Sequence, residues 1–265
     1  MRIRQPKISV ITVVRNAADT IEETVRSVLA QKYPAIEHIV VDGASTDATL
    51  EILNRYRSKI AKIVSEPDRG IYDAMNKGIM LATGDVIGCL NADDVYEHPH
   101  VLDRIAGVFK DQSVEACYGD LVYVDPYDMR AVWRYWKSCD YREGLCDKGW
   151  MPAHPTFYVR RQVYERLGGF DLRYPRQADF ELTMRFLEIG RVRSVYLPEI
   201  LVRMRAGGFS NNSIGWVLKG NLESYRACKR HGRPVTPWFF VHKIASRIPQ
   251  FLARLRFTGV SGTPR

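Results

Sequence analysis

The chain has 265 residues, 46% hydrophobic and 26% charged, a composition of folded globular domains and not of disordered or collagenous chains. Its 39 Lys and Arg against 30 Asp and Glu leave a formal charge of +9, but residues 216–265 carry ten of those bases and only one acid, Glu223. The remaining 215 residues are therefore neutral, which argues against a nucleic-acid binder with a basic recognition fold. No apolar run is long enough for a membrane-spanning helix. The N-terminal stretch lacks the long apolar region and cleavage site of a signal peptide, so none is expected. The five cysteines (Cys89, Cys117, Cys139, Cys146, Cys228) are odd in number and show no CxxC spacing. Neither zinc nor a disulfide framework is expected, and a reducing cytoplasm is the default.

In chain order, Ile8–Val14 reads as a buried strand, and 18–31 as a helix with Ile21, Val25, Val28 and Leu29 on one side. Residues 36–41 form a second strand, 46–56 a second helix, 62–64 a short third strand, 71–81 a third helix and 85–90 a fourth strand. Strand–helix alternation at this interval predicts βαβ units and a largely parallel sheet. Beyond Tyr123 the alternation degrades. Residues 125–150, rich in Trp, Tyr and charge, read as an irregular excursion. Residues 157–165 and 179–189 look helical, wholly or at their ends, around the turn signal at Gly168-Gly169-Phe170-Asp171. Residues 192–196 suggest a short strand, and 214–229 and 238–256 suggest helices. The expected organisation is one α/β domain over 1–213, then a basic helical extension over 214–265.

In an open parallel sheet, ligands bind beyond the carboxyl ends of the strands, so polar residues there carry extra weight. The second strand ends at Asp42, followed by Gly43-Ala44-Ser45-Thr46. A carboxylate at this place can accept from a ribose or a base edge, or simply cap its loop. The fourth strand ends in Asn91-Ala92-Asp93-Asp94. Adjacent carboxylates repel, and a divalent cation relieves that cost with hard oxygen ligands suited to Mg²⁺ or Mn²⁺. The plain alternative is a solvated acidic turn. Between them, Asp68 and Arg69 precede the third helix, and Asp73, Asn76 and Lys77 follow within it. This loop is placed to meet a nucleotide or its phosphates, or is an ordinary helix start with Asp68 as N-cap.

Taken in order, ISVITVVRN, VVDGASTDAT, SEPDRGIYDAMNKG and ATGDVIGCLNADD resemble the family 2 glycosyltransferases of GT-A fold, and most of all the bacterial branch assembling cell-surface polysaccharide or glycolipid. The similarity spans about residues 7–213. It implies a Rossmann-like α/β architecture with a nucleotide-sugar-binding half over about 1–125 and an acceptor half over 126–213. It further implies an inverting, metal-dependent transfer from a nucleotide-sugar, usually a UDP-sugar, to a glycan or lipid-linked hydroxyl. By this resemblance Val13, Arg15, Asp42, Asp68, Arg69 and Asn76 bind the donor. Asn91-Ala92-Asp93-Asp94 matches the DXD-type metal motif without its first Asp, giving metal coordination to Asp94 with Asp93 in support. Met151-Pro152-Ala153-His154-Pro155 looks like the acceptor-side segment, with His154 near acceptor or diphosphate. Gln177-Ala178-Asp179 resembles the ED motif with Ala178 in place of Glu, making Asp179 the expected general base. Ala206–Ser210 resembles the loop that closes over the diphosphate, and Arg69 and Arg205 are candidate phosphate partners.

Trp133, Tyr135 and Trp136 are candidates to line an acceptor groove. Across 243–256, Ile244, Ile248, Phe251, Leu252 and Leu255 follow helical spacing, with Lys243, Arg247 and Arg254 on an adjoining face. A basic amphipathic helix with aromatics reads as a membrane-interface element. Attachment to an anionic membrane surface, on the inner face of the cell membrane, is preferred here over a helix docked on the catalytic domain. Three rival functions are weighed. A nucleotidyltransferase would carry a Gly-rich loop after the first strand, where this chain has VVRNAADT. A nucleic-acid binder lacks its recognition motif. A catalytically inactive glycosyltransferase-like sugar-nucleotide-binding protein is the remaining alternative, because fold alone does not guarantee activity.

Overall fold

The computed structural model describes residues 5–207, 214–247 and 250. The first half is built as expected. Strands β1 (Ile8–Val14), β2 (Ile36–Asp42), β3 (Lys62–Ser65) and β4 (Val86–Cys89) alternate with helices α1 (Ile21–Leu29), α2 (Thr49–Arg55) and α3 (Ile71–Leu81). All four strands are parallel, in the order β3-β2-β1-β4. Helices on both faces bury β1 and β4 entirely, which is why these strands read as continuous apolar runs. In register, Val14 lies beside Asp42 and Asp42 beside Ser65, so the carboxyl ends of three strands meet along one rim.

The second half is less regular. It comprises β5 (Asp94–Tyr96), α4 (Val101–Val108), β6 (Ala116–Val124), β7 (Val132–Trp136), β8 (Tyr158–Arg160), α5 (Arg161–Leu167), α6 (Ala178–Met184) and β9 (Ser194–Arg205). The sheet continues β4-β8-β6-β9-β5, with β7 beside β6. Strand β8 joins both β4 and β6 antiparallel, while β6 and β9 are parallel. Three expectations are corrected here. The stretch 157–165 opens with a strand. The irregular excursion over 125–150 contains β7, held antiparallel on β6. The short strand at 192–196 starts later and runs on as a twelve-residue strand.

Helix α6 passes directly into a π turn at Arg185–Ile189. The chain ends, for the described residues, in α7 (Ile214–Arg230) and α8 (Trp238–Ala245). These helices do not stand apart. Ala227, Cys228, Val235 and Phe239 belong to the same buried cluster as Phe180, Leu182 and Phe186 of the α6 region. Buried acids of α6 and its π turn hold the extension by polar contacts. His231 Nε2 meets Glu181 at 2.8 Å, and Arg233 bridges Glu188 at 2.8 Å and Asp147 at 2.6 Å. The expected amphipathic face of the last helix is also corrected. Lys243 is 4% exposed, whereas Ile244 is 56% exposed. The lysine stem packs among Phe180 and Phe239, and its ammonium finds polar partners inside, so the basic face is not the outer one. The part of the predicted helix beyond Gln250 lies outside the described residues.

Candidate active site

The rim of β1–β3 is tied together by its own polar groups. Asp42 is fully buried. Its carboxylate accepts from the Ser45 backbone N–H at 3.0 Å, the Ser45 hydroxyl and the Ser65 hydroxyl at 2.6 Å. Asn16, at φ 49°, accepts from Thr46 N–H at 2.8 Å, while its own N–H donates to Ser45 Oγ at 2.8 Å. The loops after β1 and β2 are thus one hydrogen-bonded unit. Gly43 faces the Asp68 carboxylate so closely that a Cβ there would lie 2.3 Å from Asp68 Oδ2. Arg15 flanks the same glycine and is exposed, and Val13 is buried beneath the rim. The structure therefore gathers Val13, Arg15, Asp42 and Asp68. Asp68 is not the N-cap of α3. Gly70 holds that place, at φ 117°, and Asp68 Oδ1 accepts from its N–H at 2.8 Å.

Arg69 and Asn76 have other partners. Arg69 is largely exposed and pairs with Asp73 at 2.8 Å. The Asn76 amide is expected at the nucleotide; instead it engages the backbone of Phe170, donating to the carbonyl at 2.9 Å and accepting from the N–H at 2.8 Å. It fastens α3 to the Gly168–Asp171 turn.

The acidic motif sits where β4 ends and β5 begins. Asp94 is fully buried and Asp93 half-buried. Asn91 Nδ2 donates to Asp94 Oδ2 at 3.0 Å, and Thr24 Oγ1 donates to the Asp94 carbonyl at 2.9 Å. Burial, joined by the neighbouring Asp93 charge, pushes the Asp94 carboxyl well above the usual carboxylate range, and burial raises Asp93 as well. The nearby Arg205 guanidinium opposes both shifts. Arg205 is anchored by its donation to the Pro126 carbonyl at 2.7 Å and by an ion pair with Glu23. Two buried oxygens, Oδ1 of Asp94 and Oδ1 of Asn91, have no hydrogen-bond partner. Such atoms are costly unless something fills the gap. Hard oxygen donors beside carboxylates fit a divalent cation that keeps water and substrate phosphate in its remaining positions. Among the described residues no cluster of three or more His, Cys, Asp or Glu forms a self-sufficient protein cage.

Across the cleft, Asp179 is the second residue of α6 and half-buried, its Oδ1 accepting from the Phe180 N–H at 2.8 Å. The Tyr72 hydroxyl of α3 lies beside it. Burial, then the Asp179 charge, hold that phenol far above its usual range. Tyr72 stacks on Phe170 at 5.3 Å, and Phe170 meets His154 edge-on at 5.4 Å. Neither ring nitrogen of His154 has a partner, and burial lowers its pKa against the pull of Asp179. Tyr123 lies near the end of β6, where burial raises its pKa and the Arg134 charge opposes that rise. Arg134 of β7 lies 4.8 Å from the Tyr123 centroid and 5.4 Å from that of Trp136. Trp136 and Tyr123 form part of this wall, and Trp133 is 44% exposed.

The family model "Glycosyl transferase family 2" matches residues 9–168. The chain belongs to that family. A putative glycosyltransferase, EpsE of Bacillus subtilis, is 28% identical over 246 residues, covering 90% of this chain and 87% of that protein. A PGL/p-HBAD biosynthesis glycosyltransferase of Mycobacterium bovis is 28% identical over 218 residues, covering 79% of this chain and 81% of that protein. Solved structures confirm the GT-A fold. The mannosyltransferase PcManGT of Pyrobaculum calidifontis, in complex with GDP-Man and Mn²⁺, superposes with TM-score 0.64 at 21% identity over 98% of this chain and 77% of its own. Staphylococcus aureus TarS 1-349 with UDP-GlcNAc gives 0.62 at 16% identity over 96% and 73%.

Several residues of this family 2 site are not singled out by the sequence reading. Tyr72, Tyr123 and Arg134 receive no role there, and Phe170 figures only in the turn signal at 168–171. The Ala206–Ser210 loop lies mostly outside the described residues.

Proposed function

We propose that this family 2 protein is a metal-dependent inverting glycosyltransferase. It moves a sugar from a nucleotide-sugar, most simply a UDP-sugar, to a hydroxyl of a glycan or lipid-linked acceptor in surface polysaccharide or glycolipid synthesis. The observation that carries this reading is the pair of buried oxygens, Asp94 Oδ1 and Asn91 Oδ1, left without a hydrogen-bond partner where β4 ends and β5 begins.

In this reading Asp42, buried and oriented by Ser45 and Ser65, accepts from the base or ribose, and Asp68, Arg15 and Val13 close the nucleoside pocket. Asp94, Asn91 and Asp93 would hold a divalent cation, Mn²⁺ or Mg²⁺, which when bound would supply Lewis-acid stabilisation of charge on the leaving diphosphate. Arg205, near both aspartates, adds a fixed positive charge. On the opposite face Asp179 takes the acceptor proton as the new bond forms, which a hydroxyl needs at neutral pH. The Tyr72 phenol orients that carboxylate, and His154 offers its ring nitrogens to the acceptor. Inversion follows from attack opposite the leaving group. That structures of this fold were solved with GDP-Man and Mn²⁺ and with UDP-GlcNAc supports a nucleotide-sugar donor and a divalent cation in this reading.

Thermal shift with UDP, GDP, dTDP and CDP, each with and without Mn²⁺, tests the donor side. One nucleotide is expected to raise Tm in a metal-dependent way, by mass action on the folded state. Asp94→Asn should abolish the metal-dependent part. No shift with any nucleotide in well-folded protein would overturn the donor-site assignment.

A further inference from the structure

Among the described residues of the C-terminal extension Lys243 is the most deeply buried cation, and the transfer reaction described above makes no use of it. It is 4% exposed. Its Nζ donates to Gln177 Oε1 at 2.9 Å and to Ser224 Oγ at 2.7 Å. The Ser224 hydroxyl in turn donates to the same Gln177 oxygen at 2.9 Å. The ammonium also lies 4.6 Å from the Phe180 centroid and 5.7 Å from that of Phe239. Its stem passes over Gly149, where a Cβ would come within 2.7 Å of Lys243 Cβ, and Gly149 has φ +79°.

Gln177 is not an arbitrary partner. It is the N-cap of α6, its carbonyl takes the helix's Glu181 N–H at 3.0 Å, and Asp179 follows two residues later. Its other amide atom, Nε2, donates to the Arg176 carbonyl at 2.9 Å. Gly220 of α7 stands against the Gln177 side chain, close enough that a Cβ would lie 3.4 Å from Cγ. The first turn of α6, which aims Asp179 into the cleft, is therefore clamped from beneath by α7 and α8.

We propose that Lys243 is a positioning residue for Asp179, acting through Gln177, so that the C-terminal extension is a working part of the transfer site. The inference rests on Asp179 as the base. Lys243 fixes the start of α6 by holding the Gln177 side chain together with Ser224. The groups facing the ammonium are Gln177, Asp179 and Phe180 from the α6 region, Ser224 and Cys228 from α7, and Phe239 and Arg247 from its own segment. Burial and the Arg247 charge lower Lys243 to about 7, while Asp179 pulls the other way.

The test measures hydrolysis of a panel of UDP-hexoses, with water as acceptor, in the full-length protein. Lys243→Met is expected to lower kcat about ten-fold with KM for the UDP-hexose unchanged. Affinity for UDP with Mn²⁺ should stay at the wild-type value. Lys243→Arg should restore kcat. A variant with reduced Tm but wild-type kcat would overturn the proposal, since that is the pattern of packing alone. If Lys243→Met does not fold, Gln177→Ala takes its place. It removes the oxygen through which the lysine acts, and is expected to lower kcat at unchanged KM; unchanged kcat would overturn the proposal. Asp179→Asn separates the two readings. If it is inactive while Lys243→Met behaves as wild type, only the role of Lys243 falls. If it retains turnover, the base assignment falls and the proposal with it.

Discussion

Both polar atoms of the Asn76 amide meet the backbone of Phe170, a residue 4% exposed. Asn76→Ala would leave a buried N–H and carbonyl unpaired, a loss of about 1–3 kcal/mol. The expected outcome is a lower denaturation midpoint with UDP affinity unchanged in the presence of Mn²⁺. Weakened UDP affinity at unchanged stability would return Asn76 to the nucleotide. The contrast with Asp42 shows what a sequence can say about single residues. Asp42 follows the apolar run Ile39-Val40-Val41, so the pleat and the parallel sheet place it on the rim. Asn76 lies within a helix, where spacing identifies a face but not what covers it. Its partner is 94 positions away in the chain. Tyr72, Phe170 and Tyr123 were illegible for the same reason, since each gains its role from neighbours on other elements.

At the scale of elements, β1 and β4 were legible because helices cover both faces and their apolar runs are continuous. The second half follows other rules. Strand β8 is three residues long and runs into α5 without a linker, so no period can show it. Strand β7 is half-exposed, with aromatic and basic residues mixed. Strand β9 contains Pro198 and pairs with β6 through register shifts, as proline within a sheet requires. The change from parallel to antiparallel pairing is centred on β4 and β8, and Gly88 makes it possible. A Cβ there would lie 2.2 Å from Cε1 of Tyr158, a fully buried ring. Gly88→Ala is therefore expected to cost about 1–3 kcal/mol by overpacking. Chemical denaturation checks this, and a loss below about 0.5 kcal/mol, the level of neutral surface changes, would mean the β4–β8 junction yields easily.

For the whole molecule, the sequence disclosed an excess of positive charge after residue 215 but not its disposition. Arg233 and Lys243 turn inward, one to Glu188 and Asp147, the other to Gln177 and Ser224. Among the described residues of the extension, Lys219, Arg226, Lys229 and Arg230 face solvent, while Glu223, the one acid, is paired with Arg176 at 2.7 Å. Leu218, Leu222, Trp238, Val241 and Ile244 are exposed alongside them. No helix among the described residues is long and apolar enough to cross a membrane. We propose that this outer surface rests on an anionic bilayer, where exposed apolar groups and unopposed bases act together. Each base near such a surface contributes about 1 kcal/mol, so replacing Lys219 and Arg226 by Gln should weaken binding to phosphatidylglycerol vesicles about 30-fold. Those side chains are exposed, so Tm and UDP affinity should be unchanged. Wild-type protein should sediment with the anionic vesicles, less so at high salt, and little with phosphatidylcholine alone. Equal binding to both lipids would remove the charge from the argument. No binding to either would leave the extension as support for α6 alone, the role that Lys243, Arg233 and His231 already give it.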